Sequence, residues 1–219
     1  MDIDLSVTSV RDANAALRAL PAGASARLAS PAGRHNLAVG LTEAITVEID
    51  GTAGYYAGGL GRDATVLVRG TAGWGAGENL MSGLVRVDGD ASQSLGSCAH
   101  GGTVVVHGSA SLRAGISLKG GTVLVAGDVG DHCGFMAQAG TILIGGDAGR
   151  GLGDSLYEAV IYVAGKIRDL GADARIEELA EADVELVARL AKQHGFDHID
   201  PENVTRVASA RQLYHWGTP

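Results

Sequence analysis

Cysteine is scarce: the chain has two, Cys98 and Cys133. So few thiols build no disulfide framework and point to a reducing compartment, so a cytoplasmic location is expected. Proline is scarce as well, at four residues, which excludes collagen and its proline-rich Gly-X-Y pattern. No run of 18 or more apolar residues occurs, so no membrane-spanning helix is expected. The opening MDIDLSVTSV has acids but neither a basic region nor an apolar core, so it does not read as a secretory signal. Lys and Arg number 17 against 25 Asp and Glu, a net charge of −8. A surface of that sign repels a phosphate backbone, and nucleic acid is not an expected partner. Aromatics make up only 4% of the chain, yet apolar residues reach 46%, too many for a disordered segment. A length of 219 residues suits one domain with a small appendage.

What the chain has in excess is glycine, 34 residues, about twice the usual ~7%. The glycines are periodic. Gly51, Gly70, Gly89, Gly108, Gly127, Gly146 and Gly165 follow one another at intervals of 19 residues with no insertion. Four residues before each anchor stand Val47, Val66, Val85, Val104, Val123, Ile142 and Ile161. Two before stand Ile49, Val68, Val87, Val106, Val125, Ile144 and Val163. β-branched residues alternating in this way mark a strand with one buried face. Two after the anchor the column is mostly alanine, from Ala53 to Ala148, and six after it is small and apolar, from Ala57 to Leu152. Seven after comes a second glycine column, Gly58, Gly77, Gly96, Gly115, Gly134 and Gly153, which marks corners where φ is positive or backbones crowd.

A repeat of 19 residues is too short for a strand–helix–strand unit, which needs about 30. It suits one coil of a β-solenoid, whose apolar face is buried only by stacking on its neighbours. The fold class is therefore mainly β: a right-handed single-stranded parallel β-helix of about seven coils with short N- and C-terminal helices. Six steps of ~4.8 Å give a rod of roughly 29 Å. The chain divides into an N-terminal helix and strand cap (1–43), the β-helix (44–172) and a C-terminal helix and tail (173–219). Residues 9–20 predict a helix capped by Ser9, with Val10, Ala13, Leu17 and Leu20 on its apolar stripe. Residues 25–41 predict a strand, a turn and an incomplete first coil. Residues 183–194 predict a second helix, with Asp183 as cap, Val184, Val187, Ala188 and Ala191 on one face, and Gly195 as its stop. The tail from Phe196 onward reads as irregular.

Sites for chemistry are few. Gly73, Gly75 and Gly77 superficially suggest a dinucleotide loop, but they belong to the repeat and no helix follows them. Asp90, Asp128 and Asp147 follow their anchors where Thr52, Thr71 and Ser109 stand in other coils, so that column reads as turn chemistry rather than a calcium ladder. Cys133 falls in an inward column, and the histidines do not converge in sequence on a ligand pattern. No catalytic, cofactor-binding or metal-binding residue is assigned. Candidate interface residues are another matter. Tyr55, Tyr56 and Trp74 cluster at the turns of the first coils, a composition common in interface hot spots. Arg34 and His35 adjoin the open start of the stack, where they either cap backbone groups or touch a partner. Three before the anchor, the outward column turns apolar in the later coils: Val105, Leu124, Leu143 and Tyr162. That face must be covered, by the chain's own C-terminal helix or by another protein. Tyr214 and Trp216 near the end complete the candidate set.

The glycine-studded coil resembles the third domain of the glutamate synthase large subunit, the GXGXG domain. The residues that carry the resemblance are HNLAVGL, GTAGYYAGGLG, GDASQSLG, KGGTVLVAGDVGDHCGFMAQAGTILIGGDAGRGLGDSLYEA and SARQLYHW. It covers nearly the whole chain, without the amidotransferase or flavin barrel of the large enzyme. The opening and closing segments are most similar to the middle subunit of three-part relatives, among them N-methylglutamate synthase (methylamine–glutamate N-methyltransferase) and Glx-type complexes. The third subunit of formylmethanofuran dehydrogenase and of the formyltransferase/hydrolase complex shares the coil and is the alternative. The resemblance implies a non-catalytic assembly subunit of a transferase complex. Its partners would be an amidotransferase-like subunit and an FMN-binding synthase subunit, the latter carrying the FMN and an iron–sulfur cluster.

Overall fold

Each 19-residue repeat closes one turn of a parallel β-solenoid. The structure, a computed structural model, describes residues 1–211. Eight parallel strands stack in sequence order: β2 (Ser25–Ala29), β3 (Thr46–Ile49), β4 (Thr65–Val68), β5 (Leu84–Val87), β6 (Thr103–Val106), β7 (Lys119–Val125), β8 (Ala139–Ile144) and β9 (Val160–Val163). Val47 pairs with Val66, Val66 with Val85 and Val85 with Val104, so the columns of the repeat are the register of the sheet. The alanine column makes a second ladder of single parallel bridges, from Ala53 through Ala72, Ala91, Ala110, Val129 and Ala148 to Ile167. The two inward columns of β-branched residues are buried from Val47 to Val163.

The second glycine column has a physical cause at every coil. These glycines have φ near +65°; at Gly115 φ is +67°, and an added Cβ would lie 2.6 Å from Ile142 Cδ1 of the next strand. Left-handed backbone is strained for any residue with a Cβ, and here the Cβ also has no room. Two further corners of the coil are left-handed, mostly without glycine. Ser94, Arg113 and His132 have φ of about 60°, as do Asn79, Cys98, Ser117 and Met136 at slightly smaller angles. Their side chains point outward and their N–H groups reach the following coil: Arg113 N–H donates to the Asp131 carbonyl and Cys98 N–H to the Ile116 carbonyl, both at 2.9 Å. The left-handed turn aims the donor along the stack, and the hydrogen bond offsets the strain. The aspartate column also works between coils. Asp90 Oδ1 accepts from Ser109 N–H at 2.8 Å, Ser109 Oγ from Asp128 N–H at 3.1 Å, and Asp128 Oδ1 from Asp147 N–H at 2.7 Å.

Both ends of the stack are plugged. At the start, β1 (Asp2–Asp4) pairs parallel with β2. The helix α1 (Val10–Arg18) is capped by Ser9, whose hydroxyl accepts from Asp12 N–H, and it presses Ala13 and Leu17 on the open core. Buried Asn14 joins it to the first coil, donating to the Asn36 carbonyl at 2.6 Å and accepting from Ala38 N–H at 2.9 Å. At the other end the tail is not irregular, contrary to the sequence expectation. A short 3-10 turn (Pro201–Asn203) leads into β11 (Thr205–Ser209), which inserts antiparallel between β9 and β10 (Ala174–Glu177). The reason is the last coil's unpaired edge: β11 satisfies it and buries Val207 against the core.

The helix α2 spans Glu181–His194 and ends at Gly195, whose φ is +73°. Ala180, not Asp183, is the capping position; Asp183 reaches back to accept from Ala180 N–H at 2.9 Å. Leu190 replaces Ala188 on the buried stripe, beside Val187 and Ala191, while Ala188 is exposed. No helix among the described residues is long and apolar enough to cross a membrane.

Candidate interaction surface

The outer face of the sheet divides in two. Across the early coils it is charged: Arg69 links Glu48 at 2.8 Å and Asp88 at 3.2 Å, Asp88 accepts from Arg86 at 2.8 Å, and Arg27 pairs with Asp50. Across the later coils it is apolar and covered. Val105, Leu124, Leu143 and Tyr162 form a second core with Val187, Leu190, Ala191, Phe196, Ile199 and Val204. Leu124, Leu143 and Tyr162 are therefore not a partner surface: they are fully or almost fully buried beneath the chain's own C-terminal segment. Arg206 pairs with Glu177 and Asp183, and the Tyr162 hydroxyl donates to Asp183, so a polar clasp holds that segment down. Burial raises the Asp183 carboxyl, but the Tyr162 hydroxyl, the Ala180 N–H and Arg206 outweigh it and leave it below its usual value. Beside the clasp's far end, the His107 ring meets Phe196 edge to face at 5.6 Å, and His198 Nε2–H donates to the Ala126 carbonyl at 3.0 Å. Burial lowers both His107 and His194; Arg86 adds to this at both, and His107 adds to it at His194.

Large apolar side chains stay exposed at scattered positions, Val7 and Ile176 among them, but aromatic rings gather at the corner formed by the first coils. His35, Tyr55 and Trp74 occupy the same corner of successive coils and stack. Ring centroids are 4.2 Å apart for His35–Tyr55 and 5.3 Å for Tyr55–Trp74, with planes 15° and 21° apart. Tyr56 stands edge-on to Tyr55 at 6.4 Å. Tyr55, Tyr56 and Trp74 are 40–45% exposed, and Leu60 beside them is 59% exposed. The ladder is rigid because the backbone beneath it is paired: Tyr55 N–H donates to His35 Nδ1 at 2.9 Å, Gly54 N–H to the Arg34 carbonyl at 2.8 Å, and Tyr56 N–H to the Trp74 carbonyl at 2.7 Å. Arg34 folds back to donate to the Ser30 carbonyl at 3.1 Å. The Gly33–Asn36 segment thus caps the first coil with its backbone and puts the His35 ring at the head of the ladder.

Behind the ladder runs a groove of about 130 Å³ lined by Asn36, Val39, Tyr56, Leu60, Glu78 and Asn79, with Gly59 at its floor. Burial pushes the Glu78 carboxyl above its usual value. Sequence reasoning missed Glu78 because its column holds Gly59, Ser97, Ile116, Phe135 and Asp154 in the other coils and shows no pattern. The one available signal was a lone acid within GTAGWGAGENL, four residues after Trp74. Tyr214 and Trp216 lie outside the described residues.

Elsewhere Cys133 is buried in the core and its thiol is pushed up to about 12, while Cys98 is a partly exposed free thiol. Among the described residues no group of three or more His, Cys, Asp or Glu side chains is placed to hold a metal ion.

No protein-family model matches the chain. It is 49% identical over 217 residues to Protein GlxC of Rhizobium meliloti (strain 1021), an alignment that covers 98% of this chain and 95% of that protein. Identity at that level over the full solenoid, both plugs and the C-terminal clasp places the chain in the GlxC family.

Proposed function

We propose that the chain is a non-catalytic assembly subunit of a glutamate synthase-like complex, and that the complex forms N-methylglutamate and ammonia from methylamine and glutamate. The observation that carries this reading is the exposed, pre-stacked aromatic corner of the first coils. Large aromatic rings held rigid before binding lose little side-chain entropy when a partner covers them, and such residues dominate protein interfaces. The solenoid itself supports the role. Its hydrogen bonds run between coils, so forces at one contact pass along a stiff rod to another. The coil's resemblance to the glutamate synthase solenoid and the chain's place in the GlxC family favour this complex over the formyl-transferring one. On this reading an amidotransferase-like subunit and an FMN- and iron–sulfur-bearing synthase subunit flank the solenoid and do the chemistry.

Reconstitution tests it. The three subunits together should convert methylamine and glutamate to N-methylglutamate with release of ammonia, and omission of this chain should abolish turnover and separate the other two on size exclusion. Full activity of the other two without it would refute the assembly role. Co-purification with a metal-dependent amidohydrolase-like subunit instead would refute the choice of complex.

A further inference from the structure

The groove behind the aromatic ladder holds a carboxylate without a counterpart. No hydrogen bond or ion pair from any described residue reaches the Glu78 side chain, although the groove walls hold it partly away from water. The carboxylate and the Tyr56 ring crowd the same space. A Cβ built on Gly75 would lie 2.7 Å from Glu78 Oε2 and 2.7 Å from Tyr56 Cδ1, so the two are within about 5.4 Å of each other. Because Gly75 has no Cβ, the carboxylate and the ring can close in on its backbone, whereas its column carries Tyr56, Ser94, Arg113 and His132 at the same left-handed φ in other coils. The remaining walls are two amides, Asn36 and Asn79, and two apolar side chains, Val39 and Leu60.

An anion beside an aromatic ring, with amides and aliphatic groups around it, is complementary to one kind of group: a flat cation on an aliphatic stem. A guanidinium stacks on a tyrosine ring and pairs a carboxylate through two N–H groups, while its methylenes lie on aliphatic walls. A lysine ammonium is more strongly hydrated and has no plane to stack. The space of about 130 Å³ takes one such head group and no more. The rim favours a polypeptide over a free small cation. Tyr55 is stacked on both faces and exposes its edge, Trp74 stacks on one face, and a small ligand in the groove would leave both wet. The chain's net charge of −8 draws a basic partner surface toward it.

We propose that this groove is the socket for an arginine side chain of a partner subunit, with the His35–Tyr55–Trp74 ladder as the apolar rim on which the rest of that partner packs. The socket rests on the assembly reading and is the surface through which that assembly acts.

The test uses the full chain and the two proposed partner subunits, with affinity read by calorimetry and folding by thermal melts. Wild type should bind one of them. Glu78→Lys should weaken binding by at least about 30-fold and Glu78→Gln by about 10-fold, both with unchanged melting temperature. Gly75→Ala pushes Tyr56 and Glu78 apart and strains a φ of +67°, so it should weaken binding and also lower the melting temperature, which the Glu78 variants do not. An arginine-to-glutamate change in the partner that restores binding to Glu78→Lys would identify the inserted residue. If wild type binds and both Glu78 variants stay within threefold of it, the socket is wrong while the assembly reading stands. The socket is equally wrong if methylguanidinium alone binds the free chain at submillimolar concentration and the Glu78 variants leave subunit affinity unchanged. If wild type binds neither subunit, the assembly reading fails and the socket fails with it.

Discussion

Gly115→Ala should be one of the most damaging single-methyl additions in the molecule. The residue sits at φ +67°, and the new Cβ would lie 2.6 Å from Ile142 Cδ1, inside any normal contact distance. Left-handed backbone costs a residue with a Cβ about 1–2 kcal/mol. Forcing a methyl into a packed core adds about 1–3 kcal/mol, because Ile142 is itself fully buried and has nowhere to swing. The sum, about 2–5 kcal/mol, corresponds to a melting temperature lowered by roughly 5–15 °C for a chain of this size. Arg113→Gly is the internal control. It lies two residues earlier at φ +61° with its side chain in solvent, so it relieves the same backbone strain and touches no packing. It should shift stability by less than about 1 kcal/mol, in either direction. Thermal and urea unfolding followed by circular dichroism would read both. If Gly115→Ala melts within 2 °C of wild type, or if Arg113→Gly is the worse of the two, the inward corner has been misassigned.

Other perturbations separate the layers of the structure. Leu124→Asp puts a charge beneath α2 with no counterion and should release the C-terminal segment, read as new protease cleavage between 178 and 200, at a cost of several kcal/mol. The same substitution read at a partner surface would leave the free chain intact, so the two placements of Leu124 give opposite results. Asp128→Ala strips the acceptor from Asp147 N–H and should cost about 0.5–1.5 kcal/mol by urea unfolding, with the coils still stacked. For His107 and His194 the folded state disfavours the proton, so their contribution is complete above the ordinary histidine value of about 6.5 and is lost as pH falls below it. The protection factors of the α2 amides, corrected for intrinsic exchange at each pH, should therefore fall between about pH 7.5 and 5.5, and His107→Gln should flatten that dependence. Asp183 titrates in the acid range instead. Its lowered carboxyl stabilises the clasp above about pH 4 and releases it as pH falls further, so Asp183→Asn should cost stability at pH 7 but little at pH 3.

How much of this was legible in the sequence depended on repetition. Seven glycines at one spacing set the coil, and the valine columns around them set strand, register and interior together, because a slip of one residue would turn every valine outward. The tail carried no such redundancy. Thr205–Ser209 occurs once, pairs antiparallel, and owes its strand to the edge of β9 rather than to its own alternation. Leu190 was passed over for Ala188 because an alanine-rich helix offers two neighbouring stripes, and the shape of the sheet face chooses between them. The cover over Leu124 and Leu143 could not be read for the same reason: an apolar outer column demands a lid without saying whose. At the interaction surface, the stacking of Tyr55 on Trp74 followed from their shared corner, while His35 joined them through a first coil that is longer than the rest. Glu78 stayed hidden because a singular residue in a repeat has no column to announce it.

The decisive experiment is native mass spectrometry of the chain isolated gently from its own cells. A subunit built to assemble should emerge in one discrete hetero-complex, together with an amidotransferase-like subunit and an FMN-bearing subunit. A free monomer of 22.2 kDa, with no larger assembly at any concentration, would be incompatible with that role.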